Sequence, residues 1–249
     1  MKFTPDRNMD LRLAVLIDAD NVPYSNVKGM LEEIAKYGTP TFKRIYGDWT
    51  KPNTSGWKAV LLENAITPIQ QYGYTVGKNA TDSAMIIDAM DILYSGRVDG
   101  FCIVSSDSDF TRLATRLREA GMKVIGIGER KTPQPFITAC DKFIYIEILA
   151  SDDTTPDSKT KKQGKKQVPQ LDKRTVSLIK SSINDLADES GWAFLGEVGT
   201  LILKKQPNFD PRNYGFKKLL LLMRSIDSIE TDERQSENGG TRHVYVRVK

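Results

Sequence analysis

Apolar and polar positions follow two rhythms along this chain, and the change of rhythm divides it. Leu13-Ala14-Val15-Leu16-Ile17 is a continuous apolar run, the mark of a strand covered on both faces. From Ser25 to Tyr37, residues Val27, Met30, Leu31 and Ile34 recur at helical spacing and stop at Gly38. The same reading predicts further strands at Thr41–Tyr46, Thr75–Val76, Phe101–Val104, Lys123–Ile127 and Phe143–Ile148. Helices are expected at Trp57–Ala65, at Asp82–Tyr94 (Ala84, Ile87, Met90 and Asp91 at helical spacing), at Phe110–Ala120 before Gly121, and around Pro135–Ala139. Such alternation implies an α/β domain, a parallel sheet with right-handed crossovers and helices on both faces.

Beyond Gln170 the rhythm changes. Helices are predicted at Arg174–Ser190 (Val176, Ile179, Ile183, Leu186, ending at Gly191), Leu195–Lys204 and Tyr214–Ser225. The last sets Phe216, Leu219, Leu220 and Met223 against Lys217 and Lys218. Strands at Ile226–Thr231 and His243–Val248 flank a loop containing Asn238-Gly239-Gly240. Three helices and a two-stranded wing describe a winged helix, a small α+β domain. Between the two halves, 151–170 holds almost no apolar residues, so it is read as a flexible, lysine-rich linker. The expected organisation is a domain over 1–150, a linker over 151–170 and a winged helix over 171–249.

With 249 residues and 39% hydrophobic content, the chain can fill such cores. Runs such as Leu219–Met223 fall far short of the roughly 20 residues that cross a membrane. Lys2, Asp6, Arg7 and Asp10 stand where a signal peptide needs an apolar stretch, so a cytoplasmic protein with no membrane partner is expected. Residues 1–150 carry 18 basic and 18 acidic side chains, whereas 151–249 carry 18 and 14, so the excess of +4 lies there. Much of it is Lys159, Lys161, Lys162, Lys165 and Lys166, which either solvate a linker or touch nucleic acid. Two cysteines and one histidine exclude a zinc site of four Cys and His ligands. Any Ser-His or Cys-His chemistry would have to use His243, and Cys102 lies in an apolar run that reads as a buried, inert thiol. Catalysis, if present, rests on carboxylates.

Those carboxylates fall at the ends of predicted strands. Asp18 and Asp20 follow the first strand, and Asp107 and Asp109 follow Phe101–Val104. In open α/β sheets the crevice beyond the carboxyl ends of the strands is the ligand site. Asp82 opens a helix and can reach the same rim. Converging carboxylates repel unless a hard divalent cation joins them, so Mg²⁺ or Mn²⁺ is the expected cofactor. Such an ion activates water and stabilises charge on a phosphodiester. Taken singly, Asp82 and Asp109 are equally good helix caps, and Asp20 and Asn21 are turn formers. Asp88, six residues after Asp82, faces elsewhere and is read as a supporting residue; Asp91 is read as surface.

Three ordered motifs now stand together: Val15-Leu16-Ile17-Asp18-Ala19-Asp20-Asn21, then Lys78-Asn79-Ala80-Thr81-Asp82 with Asp88, then Ser105-Ser106-Asp107-Ser108-Asp109-Phe110. Over about residues 11–149 this resembles the NYN domain family, which includes LabA-like proteins and belongs to the PIN-like nuclease superfamily. The resemblance implies a PIN-like fold and a metal-dependent ribonuclease. Its metal ligands would be Asp18, Asp82 and Asp107, with Asp109 as a fourth acid and Asn21 orienting a ligand or contacting phosphate. Ser106 stands where many relatives have glycine, so a side chain there would crowd the backbone near the metal. Residues 168–249 resemble an OST-HTH, or LOTUS, domain through Gly191-Trp192-Ala193-Phe194-Leu195-Gly196-Glu197-Val198-Gly199 and Asn208–Leu219. That family is associated with RNA binding and, in some members, with protein partners.

Trp192, Phe209, Tyr214 and Phe216 read equally well as core, so exposed cations are the candidate RNA contacts: Lys204, Lys205, Arg212, Lys217, Lys218 and Arg242. On the first half, Arg44, Lys51, Lys58, Lys78 and Arg112 are candidates to touch single-stranded or structured RNA. The expected function is metal-dependent hydrolysis of RNA phosphodiesters, with RNA recruited by the winged helix. One alternative is a catalytically silent RNA-binding protein. Another is an aspartyl-phosphate phosphatase with Asp18 as nucleophile, Asp20 as acid–base, and Ser105 and Lys123 on later loops.

Overall fold

The computed structural model describes residues 10–50, 56–72, 80–149, 171–235 and 242–249. They fall into two compact units that part between Asp153 and Thr154.

In the first unit, β1 (Arg12–Asp18), β2 (Thr39–Gly47), β3 (Thr67–Gln70), β4 (Gly100–Val104), β5 (Lys123–Gly128) and β6 (Lys142–Tyr145) form one six-stranded sheet in the order β3-β2-β1-β4-β5-β6. Every pairing is parallel. The chain winds outward from β1 to one side and from β4 to the other, which makes the gap beyond β1 and β4 the topological switch point. Helices α1 (Val27–Ile34), α2 (Trp57–Glu63), α3 (Ala80–Tyr94), α4 (Thr111–Glu119) and α5 (Gln134–Ala139) connect the strands. Alternate side chains of β1 feed two cores: Ala14 and Leu16 pack with residues of α3, α4 and α5, while Leu13, Val15 and Ile17 pack with α1 and α2. Helices therefore cover both faces, as the apolar run at 13–17 predicts.

The strand expected at Thr75–Val76 lies outside the described residues. Among the described residues an unpredicted strand, β3, occupies the sheet edge. Pro68 argues against a strand, yet an edge strand tolerates proline because one of its sides makes no ladder. Within α3 the buried residues are Met85, Ala89 and Ile92, with the expected Ala84 and Met90 packed against the same core, whereas Ile87 is exposed. The last strand stops at Tyr145, where a 3-10 turn over Ile146–Ile148 takes over. Cys102 is fully buried and its thiol is pushed well above its ordinary value by burial, as an inert core residue.

The second unit contains α6 (Lys173–Asn184), β7 (Ala193–Phe194), α7 (Leu195–Lys205), α8 (Leu219–Arg224), β8 (Ile229–Gln235) and β9 (Arg242–Val248). Its sheet is antiparallel in the order β7-β9-β8, three strands rather than the expected two. Ile179, Ile183, Val198, Ile202, Leu222, Met223 and Val246 form its core. Two predicted helices are shorter than expected. α6 ends at Asn184, and the chain then turns to Gly191 at φ +82°. The expected helix from Tyr214 is broken at Gly215, whose φ of +84° a helix cannot accommodate, leaving a 3-10 turn over Pro211–Tyr214 before α8. Among the described residues, no helix is long and apolar enough to cross a membrane.

Candidate metal centre

The switch point places two strand ends side by side, with Ile17 of β1 opposite Val104 of β4. Asp18 closes β1 and is only 1% exposed. Its Oδ2 accepts hydrogen bonds from Ser105 Oγ at 2.9 Å and Asn21 Nδ2 at 2.5 Å, and its Oδ1 accepts from the Asp20 backbone N–H at 3.1 Å. Burial pushes the Asp18 carboxyl above its ordinary value, against the opposing pull of these donors. Ser105 is itself fully buried, and its hydroxyl oxygen accepts the Asp107 N–H at 3.1 Å. One hydroxyl thus ties the ends of β1 and β4 together.

Asp107 caps a 3-10 turn over Ser108–Phe110, its Oδ1 accepting the Asp109 N–H at 2.9 Å. The capping role that the sequence offers to Asp109 belongs to Asp107. Across the crevice, Asp82 projects from the first turn of α3. Carboxylate oxygens of Asp82, Asp107 and Asp109 all lie within 4.8 Å of one another. The electrostatic consequence falls on Asp82, whose carboxyl is pushed up to about 6 by burial, then by the charges of Asp18, Asp107, Asp109 and Asp20. Three close oxygen donors with an unfavourable excess of negative charge fit a hard divalent cation, Mg²⁺ or Mn²⁺.

The predicted residues separate into groups. Asp82, Asp107 and Asp109 meet. Asp18 lies outside that group of three, with both oxygens held by the chain, and acts on Asp82 through its charge. Asp20 is exposed and contributes charge together with its backbone donor. Asn21, expected to orient a ligand or contact phosphate, holds the Asp18 carboxylate. Ser106 is 7% exposed, and its hydroxyl accepts the Glu129 N–H at 2.9 Å, fastening the end of β4 to the loop after β5. The side chain that replaces glycine is thereby engaged in a neighbouring backbone bond. Asp88 pairs with the guanidinium of Arg44 and accepts the hydroxyl of the fully buried Tyr46, both on β2. Arg44, expected to meet substrate, is held there and stacks over Phe42 at 5.4 Å. Lys58 and Arg112 are exposed, whereas Lys51 and Lys78 lie outside the described residues.

Sequence reading missed the structural part of Ser105 and Tyr46. Ser105 is visible as the first polar residue after a wholly apolar strand; nothing in the sequence marks Tyr46. In the second unit, Lys205 pairs with Asp185 at 2.6 Å, Arg212 folds back on the buried Asp210 at 2.7 Å, and Arg242 approaches Glu233 at 3.8 Å. Lys204, Lys217 and Lys218 are exposed and form no ion pair among the described residues. Phe209 is core, with Tyr214 and Phe216 packed against it, but Trp192 stands outside that core.

The NYN domain profile matches residues 12–147, more than half of the chain, and the OST-HTH/LOTUS domain profile matches residues 166–241. No curated protein matches the chain. Among solved structures, it is similar to a protein of unknown function from Vibrio parahaemolyticus at 22% identity and a TM-score of 0.47, covering 57% of this chain and 96% of that one. It is also similar to an uncharacterized protein from Nitrosomonas europaea at 30% identity and a TM-score of 0.30, covering 39% of this chain and 90% of that one. A fragment of a Chromobacterium violaceum protein is 36% identical at a TM-score of 0.24, covering 29% of this chain and 76% of that one. With its three acidic motifs inside the matched region, the chain belongs to the NYN domain family and carries an OST-HTH/LOTUS domain after it.

Proposed function

We propose that this protein is a metal-dependent ribonuclease whose acidic crevice hydrolyses RNA phosphodiesters and whose C-terminal domain recruits the RNA. The observation that carries this reading is the meeting of Asp82, Asp107 and Asp109 beyond the switch point of a parallel sheet. Asp82, Asp107 and Asp109 would hold Mg²⁺ or Mn²⁺, with Asp18 flanking the set and adding its charge. Bound there, the ion supplies an activated water and offsets charge on the phosphodiester. The chain's own contribution is positional. Ser105, Asn21 and the Asp20 N–H hold Asp18 through three hydrogen bonds, and Asp107 is held by the turn it caps. Asp82 must give up its proton to serve as a ligand, and burial with the neighbouring carboxylates opposes that in the metal-free site. The lysine-rich segment 151–170 would act as a tether, raising the local concentration of RNA at the crevice.

A phosphatase reading fits the geometry less well. A nucleophilic Asp18 would need a free oxygen facing solvent, yet that carboxylate is buried and holds three hydrogen bonds. The nuclease reading is tested with end-labelled RNA and purified Asp107→Asn. Loss of metal-dependent cutting, with the circular dichroism of the wild type retained, supports it. Full activity in that variant refutes the site.

A further inference from the structure

The second unit collects four rings that its core does not use. On β9, Val246 points into the core, so His243, Tyr245 and Arg247 stand on the opposite face of the sheet. The register places Phe194 of β7 beside Tyr245 on one side and Arg234 of β8 beside His243 on the other. The Phe194 ring lies 5.6 Å from the His243 ring and 5.9 Å from the Tyr245 ring. Arg234 stacks over Tyr245 at 4.4 Å and over Trp192 at 5.2 Å, and Arg247 stacks over Trp192 at 4.6 Å. Trp192, Phe194, His243 and Tyr245 all keep part of their surface in solvent, and none belongs to the core cluster. Carboxylates hold the guanidinium planes in place: Asp232 binds Arg234 at 2.8 Å and Glu230 binds Arg247 at 2.6 Å.

Resting on the reading that this domain handles RNA, we propose that this sheet face, more than the helix lysines, is where single-stranded RNA is bound, by stacking unpaired bases on Trp192, Phe194 and Tyr245. Flat rings interleaved with flat guanidinium groups match the bases of a single strand, which stack on either kind of plane whatever their sequence. An arriving phosphate can replace Glu230 or Asp232 on an arginine, so the same two side chains serve the backbone. A protein partner would want one continuous apolar area, and here two ion pairs interrupt it. A duplex hides its base faces and gains little from this surface. Because the carboxylates already offset the two arginines, few counterions are released, and affinity falls only shallowly with salt.

The test uses the full chain in EDTA, so that RNA stays intact, with a short fluorescent single strand followed by anisotropy. Trp192→Ala and Tyr245→Ala each weaken binding by about 5- to 100-fold, and Trp192→Phe restores most of it. Where an alanine variant loses its circular dichroism, RNA-dependent quenching of wild-type fluorescence, read against Trp192→Phe, reports the same contact. Unchanged affinity in folded alanine variants, no difference in quenching, equal preference for a duplex, or no RNA binding each overturns the proposal. Cleavage by the wild type in Mn²⁺ is scored separately. Cutting without dependence on Trp192 sinks this proposal alone, and stacking without cutting sinks the nuclease reading alone.

Discussion

Asp82 sits where the fields of four other carboxylates meet, which gives its protonation a consequence for folding. In the unfolded chain it titrates near 3.8, and in the fold near 6. Charging it therefore penalises the fold fully above about pH 6 and not at all below about pH 4. In EDTA, Asp82→Asn should melt at a higher temperature than the wild type at about pH 7.5, with the gap closing as pH falls through that window. Thermal melts across pH check this, and a wild type that melts at or above the variant at neutral pH contradicts it. Ser105 makes the opposite prediction. Ser105→Ala removes a buried donor from Asp18 and an acceptor from the Asp107 N–H, so urea denaturation should show a loss of about 1–3 kcal/mol. A change within error would mean that the crevice relaxes around the missing hydroxyl.

At the scale of elements, α3 must bring Asp82 into a crevice that repels it, and one polar anchor to the sheet is Asp88 on Arg44 and Tyr46 of β2. Asp88→Ala removes the acceptor of the buried Tyr46 hydroxyl and the carboxylate partner of Arg44, at a cost of about 1–3 kcal/mol. Tyr46→Phe removes the hydroxyl itself and should cost less, since Asp88 keeps Arg44. Equal losses in the two variants, measured by denaturant, would argue against this account. These elements also mark what a sequence can reveal. The runs 13–17 and 101–104 are legible because a strand buried on both faces has no polar position, and the acids that follow them are legible as strand ends. β3 is hard to read in sequence, because it is four residues long and carries Pro68, which only an edge strand accommodates. Arg44 reads as a free cation in sequence, because its partner lies 44 residues away on a helix whose rotation only packing decides.

The whole molecule holds two independently cored units, and under the proposed function they divide the work, chemistry in one and capture in the other. If the winged helix acts by local concentration, a chain ending near residue 150 keeps its kcat on long RNA and loses only in KM. A fall in kcat would mean that the second unit contributes to the chemical step. Cleavage of end-labelled single-stranded RNA by the wild type in Mn²⁺, in Mg²⁺ and in EDTA, with Asp107→Asn run beside it, decides whether the acidic crevice is a nuclease site. Cutting should need the metal and vanish in the variant. Cutting that survives EDTA or the loss of Asp107, or no cutting with either metal, refutes the nuclease.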